Sequence, residues 1–215
     1  MVGQMSQKKI VIEPDPILRK KSLPVEKVDM EVKKLLDDML ETMYAAPGIG
    51  LAAVQVGILK RIVVIDVSKD AEKKKPLFLI NPEITFKSKD TSVHEEGCLS
   101  LPGHFAEIER PAKCNLNYID YDGKQKNLEA EGILSTCIQH EVDHLNGILF
   151  VDYLSKLKKD MIVKKLNKED EEVCPNSSSF YKTQDGIECS LRRKNGDLIG
   201  ICYRENDRSG GYIVG

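Results

Sequence analysis

The chain has 215 residues, 41% of them hydrophobic, and its 32 basic and 34 acidic side chains leave a formal net charge of -2. That length suits one substantial core, and so even a balance of charge gives no reason to expect a stable nucleic-acid complex or a membrane-surface partner. No apolar run approaches the ~20 residues needed to span a bilayer, and no N-terminal stretch has the make-up of a secretion signal.

Met1 to Gln7 read as a loose start, and Asp15-Pro16 opens an irregular segment. From Glu31 to Tyr44, the residues Val32, Leu35, Leu36, Met39, Leu40 and Met43 recur at helical spacing, and Pro47, Gly48 and Gly50 end that pattern in a compact loop. Arg61 to Val67 is expected to be a buried strand, Ser68 to Lys75 a charged surface loop, and Leu77 to Ile80 a further strand. Residues 84 to 121 read as short strands and turns, clearest at Cys114 to Ile119, with Asp122-Gly123 as a hairpin turn.

Between Gly132 and Leu145 the spacing of Ile133, Leu134, Cys137, Ile138, Glu141 and Leu145 returns to that of a helix. A second charged helix is expected over Leu154 to Leu166, and Asn176 to Ser179 break it. Beyond them, Ile187 to Tyr203 alternates apolar and polar residues around Asn195-Gly196, the pattern of a hairpin. The six cysteines form no CxxC pair, and without an export signal they are expected to be reduced thiols.

Chemistry concentrates in Gln139-His140-Glu141-Val142-Asp143-His144. Residues four apart lie about one turn apart on one helix face, so both imidazoles can reach one divalent ion while Glu141 stays free to handle a proton of an activated water. The bland alternative is a helix with two merely solvated or hydrogen-bonded histidines. An open water position needs three protein ligands. Glu96 and Cys98, both in Glu96-Gly97-Cys98-Leu99-Ser100, are the candidates for the third, and His94 and His104 flank that turn with no defined spacing to the helical pair.

Three separated motifs, Gly48-Ile49-Gly50-Leu51-Ala52-Ala53-Val54-Gln55, Glu96-Gly97-Cys98-Leu99-Ser100 and Gln139-His140-Glu141-Val142-Asp143-His144, closely resemble those of the peptide deformylases. The resemblance runs from about Ile10 through Leu166. It implies an α+β fold, with antiparallel and mixed sheets surrounding a central metal-binding helix. Residues 1–175 would be the catalytic domain, and 176–215 a C-terminal extension, a β-hairpin packed on the core.

By the same resemblance, Cys98, His140 and His144 would hold one divalent ion, Fe2+ first and Zn2+, Ni2+ or Co2+ as substitutes. Glu141 would act as general base and acid, and Gln55 with the backbone N–H of Leu99 would stabilise an oxyanion. Ile49, Gly50, Gly97, Ile133 and Cys137 would bind substrate. The implied reaction is hydrolysis of the formyl group from the N-terminal formylmethionine of nascent polypeptides, with release of formate. It would take place in a bacterial cytoplasm, by a protein favoured to be a monomer that touches the ribosome transiently.

Two positions depart from the usual pattern. Thr136 stands where an aliphatic residue is more frequent, and its hydroxyl is expected to bond the preceding helical turn. Phe105 stands where some bacterial relatives carry arginine. Arg110 is expected to pair with Glu96, and Asp143 is left outside the catalytic set.

Overall fold

A computed structural model describes residues 6–46, 48–68, 74–173, 180–183, 186–192 and 198–204. The chain divides into two compact units, Met1–Val163 and Lys164–Gly215.

In the first unit, β1 (Gly50–Ala52), β2 (Ile62–Ile65), β3 (Leu77–Lys87), β6 (Lys113–Ile119) and β7 (Gln125–Glu131) form a five-stranded sheet in the order β1-β2-β3-β6-β7, with every pair antiparallel. A second, two-stranded antiparallel sheet joins β4 (Thr91–Cys98) to β5 (Leu101–Pro111). An isolated bridge between Leu23 and Lys60 is parallel.

Helix α1 (Met30–Ala45) starts where the Asp29 carboxylate accepts the Val32 N–H at 2.9 Å, the N-cap contact that satisfies one otherwise orphaned donor. Helix α2 (Gly132–Leu145) follows β7 without a connecting loop, and Gly132, at φ +59°, supplies the left-handed backbone needed to turn strand into helix.

Strand β2, Ile-Val-Val-Ile, is buried at every position because it is covered on both faces. Alternation along a strand sends successive side chains to opposite sides. Ile62 and Val64 pack with Leu36, Met39 and Met43 of α1, whereas Val63 and Ile65 pack with Ile138, Val142 and Leu145 of α2. Helix α2 is therefore a central helix, buried from Ser135 to Leu145. That burial gives its polar side chains fixed positions.

The strands of residues 77–119 are longer than their sequence suggests. Strand β3 runs on past Ile80 because Asn81, at φ +51°, is clasped to Val25 through both its amide groups, each at 2.8 Å, and the ladder resumes after a register shift. Asp122-Gly123 does fall in the β6–β7 connection. Helix α3 (Lys156–Val173) starts later and runs further than the expected Leu154 to Leu166.

The second unit contains β8 (Phe180–Thr183), β9 (Gly186–Arg192) and β10 (Leu198–Arg204), in an antiparallel sheet ordered β10-β9-β8. This adds a third strand to the expected hairpin. The break at Asn176 to Ser179 and the turn at Asn195-Gly196 lie outside the described residues.

Candidate active site

The β4–β5 hairpin brings Cys98 to α2. A register shift between Gly97 and Cys98 takes the cysteine out of the ladder at the end of β4, which is how a bulge re-aims a side chain. Its Sγ stands 3.2 Å from His144 Nε2, and His144 Nε2 stands 3.1 Å from His140 Nε2. The three donor atoms all lie within 4.8 Å of one another. His94 and His104 are not in this group: His94 Nδ1 meets Thr136 Oγ1 at 3.0 Å and His104 Nδ1 meets the Pro102 carbonyl at 2.9 Å.

This donor set fits a divalent cation. A tetrahedral ion with bonds of about 2.0–2.3 Å to nitrogen and sulfur keeps its ligand atoms roughly 3.3–3.6 Å apart, close to the separations found here. Two imidazole nitrogens 3.1 Å apart with a thiol beside them offer three soft-to-borderline donor atoms to one small volume, the ligand types a borderline divalent ion takes. His140 Nδ1 is engaged by Glu96 Oε2 at 2.8 Å, which leaves Nε2 as the coordinating atom.

Burial disfavours the charged form of both imidazoles. At His144 burial prevails, reinforced by the charge of His140, and the pKa falls; at His140 the hydrogen bonds with Cys98 and Glu96 outweigh it and the pKa rises. A cation at Nε2 would take the place of that proton, because a metal ligand must be neutral imidazole.

Glu96 is itself locked. Arg110, 3% exposed, donates from Nε and Nη2 to the two Glu96 oxygens and from Nη1 to Asp143 Oδ2 at 2.7 Å. The hydrogen bonds from His140 and Arg110 hold the Glu96 carboxyl below the usual range against the opposing pull of burial. The Tyr153 hydroxyl donates to Asp143 at 2.8 Å. The expected Arg110–Glu96 pair is therefore one link of a longer chain, Tyr153–Asp143–Arg110–Glu96–His140, that ends on a candidate ligand. Sequence spacing gave no signal for Tyr153, and Asp143 bonds Arg110 and Tyr153.

Beside the donors lies a cavity of about 480 Å³. Its walls include Ile49, Gly50, Gly97, Ile133 and Cys137, the five residues singled out for substrate, together with Cys98, Leu99, Gln55 and Glu141. Glu141 is buried, its Oε2 has no hydrogen-bond partner among the described residues, and burial pushes its pKa up to about 7. Gln55 is fixed by its Oε1, which accepts the Ala52 N–H at 2.8 Å. Its Nε2 then faces Cys98 Sγ at 3.6 Å and Ser100 Oγ at 3.2 Å. Ser100, given no role of its own in the sequence, thus steadies Gln55 together with the Ala52 N–H. Thr136 lines the cavity and bonds His94 across the gap to β4, where a bond to its own helix was expected.

The chain that carries this Cys-His-His donor set, buried carboxylate and cavity is similar to known proteins. The family model described as polypeptide deformylase matches residues 7–160. The peptide deformylases of Rhizobium meliloti and Pelagibacter ubique are 56% and 60% identical over 164 residues, which cover 76% of this chain and 94% and 95% of theirs. A crystal structure of peptide deformylase from Ehrlichia chaffeensis in complex with actinonin is 46% identical and superposes with a TM-score of 0.74, covering 77% of this chain and 99% of that one. A structure of Arabidopsis thaliana peptide deformylase 1B in complex with an inhibitor is 35% identical with a TM-score of 0.71, covering 77% and 93%. A match over residues 7–160 that covers 93–99% of these relatives and takes in the stretch holding all three motifs places the chain in the peptide deformylase family.

Proposed function

We propose that this protein hydrolyses the formyl group from the N-terminal formylmethionine of nascent polypeptides. The observation that carries the proposal is the convergence of Cys98, His140 and His144 on one point beside Glu141, whose second carboxylate oxygen is buried and unpartnered. A divalent cation held by Cys98, His140 and His144 would supply Lewis acidity toward the formyl oxygen and make water a nucleophile at neutral pH. We take Fe2+ as the resident ion, with Zn2+, Ni2+ or Co2+ able to replace it; Cys98 gives the set the thiolate that softer ions prefer.

The chain's own residues do the rest. Glu141 accepts a proton from the attacking water as oxygen adds to the formyl carbon, then delivers it to the departing nitrogen as the C–N bond breaks, which yields formate and a free amino terminus. Burial and an unpartnered oxygen leave the Glu141 carboxylate free for that proton. Gln55 Nε2, already beside Cys98, and the Leu99 backbone N–H are the donors assigned to the developing oxyanion; donors fixed in advance favour it over the starting amide.

Gly50 and the buried Cys137 line the cavity where the methionine side chain would lie, and Gly97 would meet substrate through its backbone, the face where its Cβ is missing being filled by the Phe105 ring. Ile49 and Ile133 stand nearer the mouth, at 45% and 44% exposure. Among the described residues no helix is long and apolar enough to cross a membrane. We place the activity in a bacterial cytoplasm, with a monomer meeting its substrate at the ribosome.

The test is formate release from formyl-Met-Ala by protein loaded anaerobically with Fe2+, beside chelator-treated protein and Glu141→Gln. Metal-dependent release that is lost in Glu141→Gln is the expected result. No release from folded protein with verified iron content would overturn the proposal.

A further inference from the structure

The cavity mouth carries an exposed aromatic side chain that none of the proposed chemistry uses. Phe105 is 64% exposed, the most exposed of the large apolar residues on the cavity wall, whereas Cys137 on the inner wall is 6% exposed. Phe105 lies directly opposite Gly97 in the β4–β5 ladder, one residue before Cys98. A Cβ on Gly97 would stand 2.7 Å from Phe105 Cδ1, so the ring is seated against the Gly97 backbone, on the wall of the cavity that Cys98 and His140 also line.

A ring left mostly exposed can gain by burying the rest of its apolar surface. If formylmethionine fills the inner cavity, the following residues must leave through the mouth. Phe105 offers them apolar area and no hydrogen-bond donor or acceptor. We infer that Phe105 is a specificity-determining residue that favours nascent chains with apolar or aromatic side chains in the two positions after formylmethionine. This inference rests on the deformylase reading above and adds to it a preference for sequence.

The experiment compares kcat/KM for formyl-Met-Leu-Phe and formyl-Met-Ser-Ser, using iron-loaded wild type, Phe105→Ser and Phe105→Leu. Wild type should prefer the apolar peptide by about five- to tenfold, mainly through KM, the order expected from covering a partly exposed ring. Phe105→Ser should bring the two peptides within about twofold, and Phe105→Leu should restore most of the preference, since apolar area and not aromaticity carries it. An equal rate on both peptides in wild type, or a preference that survives in Phe105→Ser, would overturn the inference and leave the deformylase reading intact. Failure of wild type to cleave either peptide would sink both.

Discussion

Replacing Gly50 with alanine puts a methyl group where two side chains already stand. Built on the backbone, that Cβ overlaps Glu141 Oε1 and lies 2.8 Å from Cys137 Sγ and 2.9 Å from Glu141 Cδ. Ordinary non-bonded separations are about 3.5–4.0 Å, so something must yield by roughly 1 Å. Strand β1 cannot move freely, because Gly50, Leu51 and Ala52 pair with Ile65, Val64 and Val63, and the last five of these are fully buried. The carboxylate of Glu141 must therefore shift.

A displacement of about 1 Å at a catalytic group costs on the order of 10²-fold in rate, and overpacking costs about 1–3 kcal/mol of stability. Gly50 is not among the residues with positive φ, so the effect is steric. The expected outcome for Gly50→Ala is a fall of about 100-fold in kcat/KM on formyl-Met-Ala, mostly in kcat, with a few degrees lost in Tm. Metal content measured by mass spectrometry should be unchanged, because the clash falls on neither Cys98 nor either histidine. A folded, metal-loaded variant whose activity stays within about threefold of wild type would refute the placement of Glu141 in the reaction.

Three further predictions concern stability. Arg110→Ala removes the cation between the buried carboxylates of Glu96 and Asp143, and stranding buried charge costs about 3–5 kcal/mol; a urea-denaturation loss under ~1 kcal/mol would contradict the network as described. Gly147→Ala should be far more damaging than Gly123→Ala in the same assay. Both glycines have positive φ, but at Gly147 the added Cβ meets the Arg19 backbone carbonyl, with its carbon at 2.7 Å, whereas at Gly123 the nearest atom is Val28 Cβ at 3.7 Å. Equal losses would mean that backbone conformation alone sets the cost.

Asp66 supplies the pH test. Burial raises its pKa, but the hydrogen bonds from Ser68 and Tyr44 outweigh burial and depress it. A depressed carboxylate pKa contributes stability that is fully present above the unfolded value near 3.9 and fades as pH falls through the folded one. Asp66→Asn should therefore be less stable than wild type at pH 5 to 7, with the gap closing below about pH 4. A gap in Tm that widens in acid would show the sign to be wrong.

Much of the site was legible because its signals are local. Helix α2 begins and ends where periodicity puts it, and α1 is set by its apolar spacing and the Asp29 cap. The i, i+4 histidines read directly as one helix face. The choice between Cys98 and Glu96 as third ligand could not be read from spacing, since it depends on how β4 meets α2; the three motifs together favoured Cys98. Asn81-Pro82 looks like a strand end, yet the side chain of Asn81, bonded to Val25 across 56 residues of sequence, lets β3 continue. Tyr153, Asp143 and Arg110 belong to the site only through contacts made by folding, so no window of sequence contains their relationship. The same holds for Thr136, whose partner His94 is 42 residues away.

The measurement closest to the central claim identifies the products. Iron-loaded protein is incubated with formyl-Met-Ala-Ser and, separately, with unformylated and acetylated forms of the same tripeptide, and the products are resolved by mass spectrometry. The account predicts Met-Ala-Ser plus formate in equal amounts from the formyl peptide, with both internal amides intact and the other two substrates untouched. Cleavage at an internal amide, or turnover of the unformylated peptide, would show that this metal site serves a peptidase and would contradict the assignment.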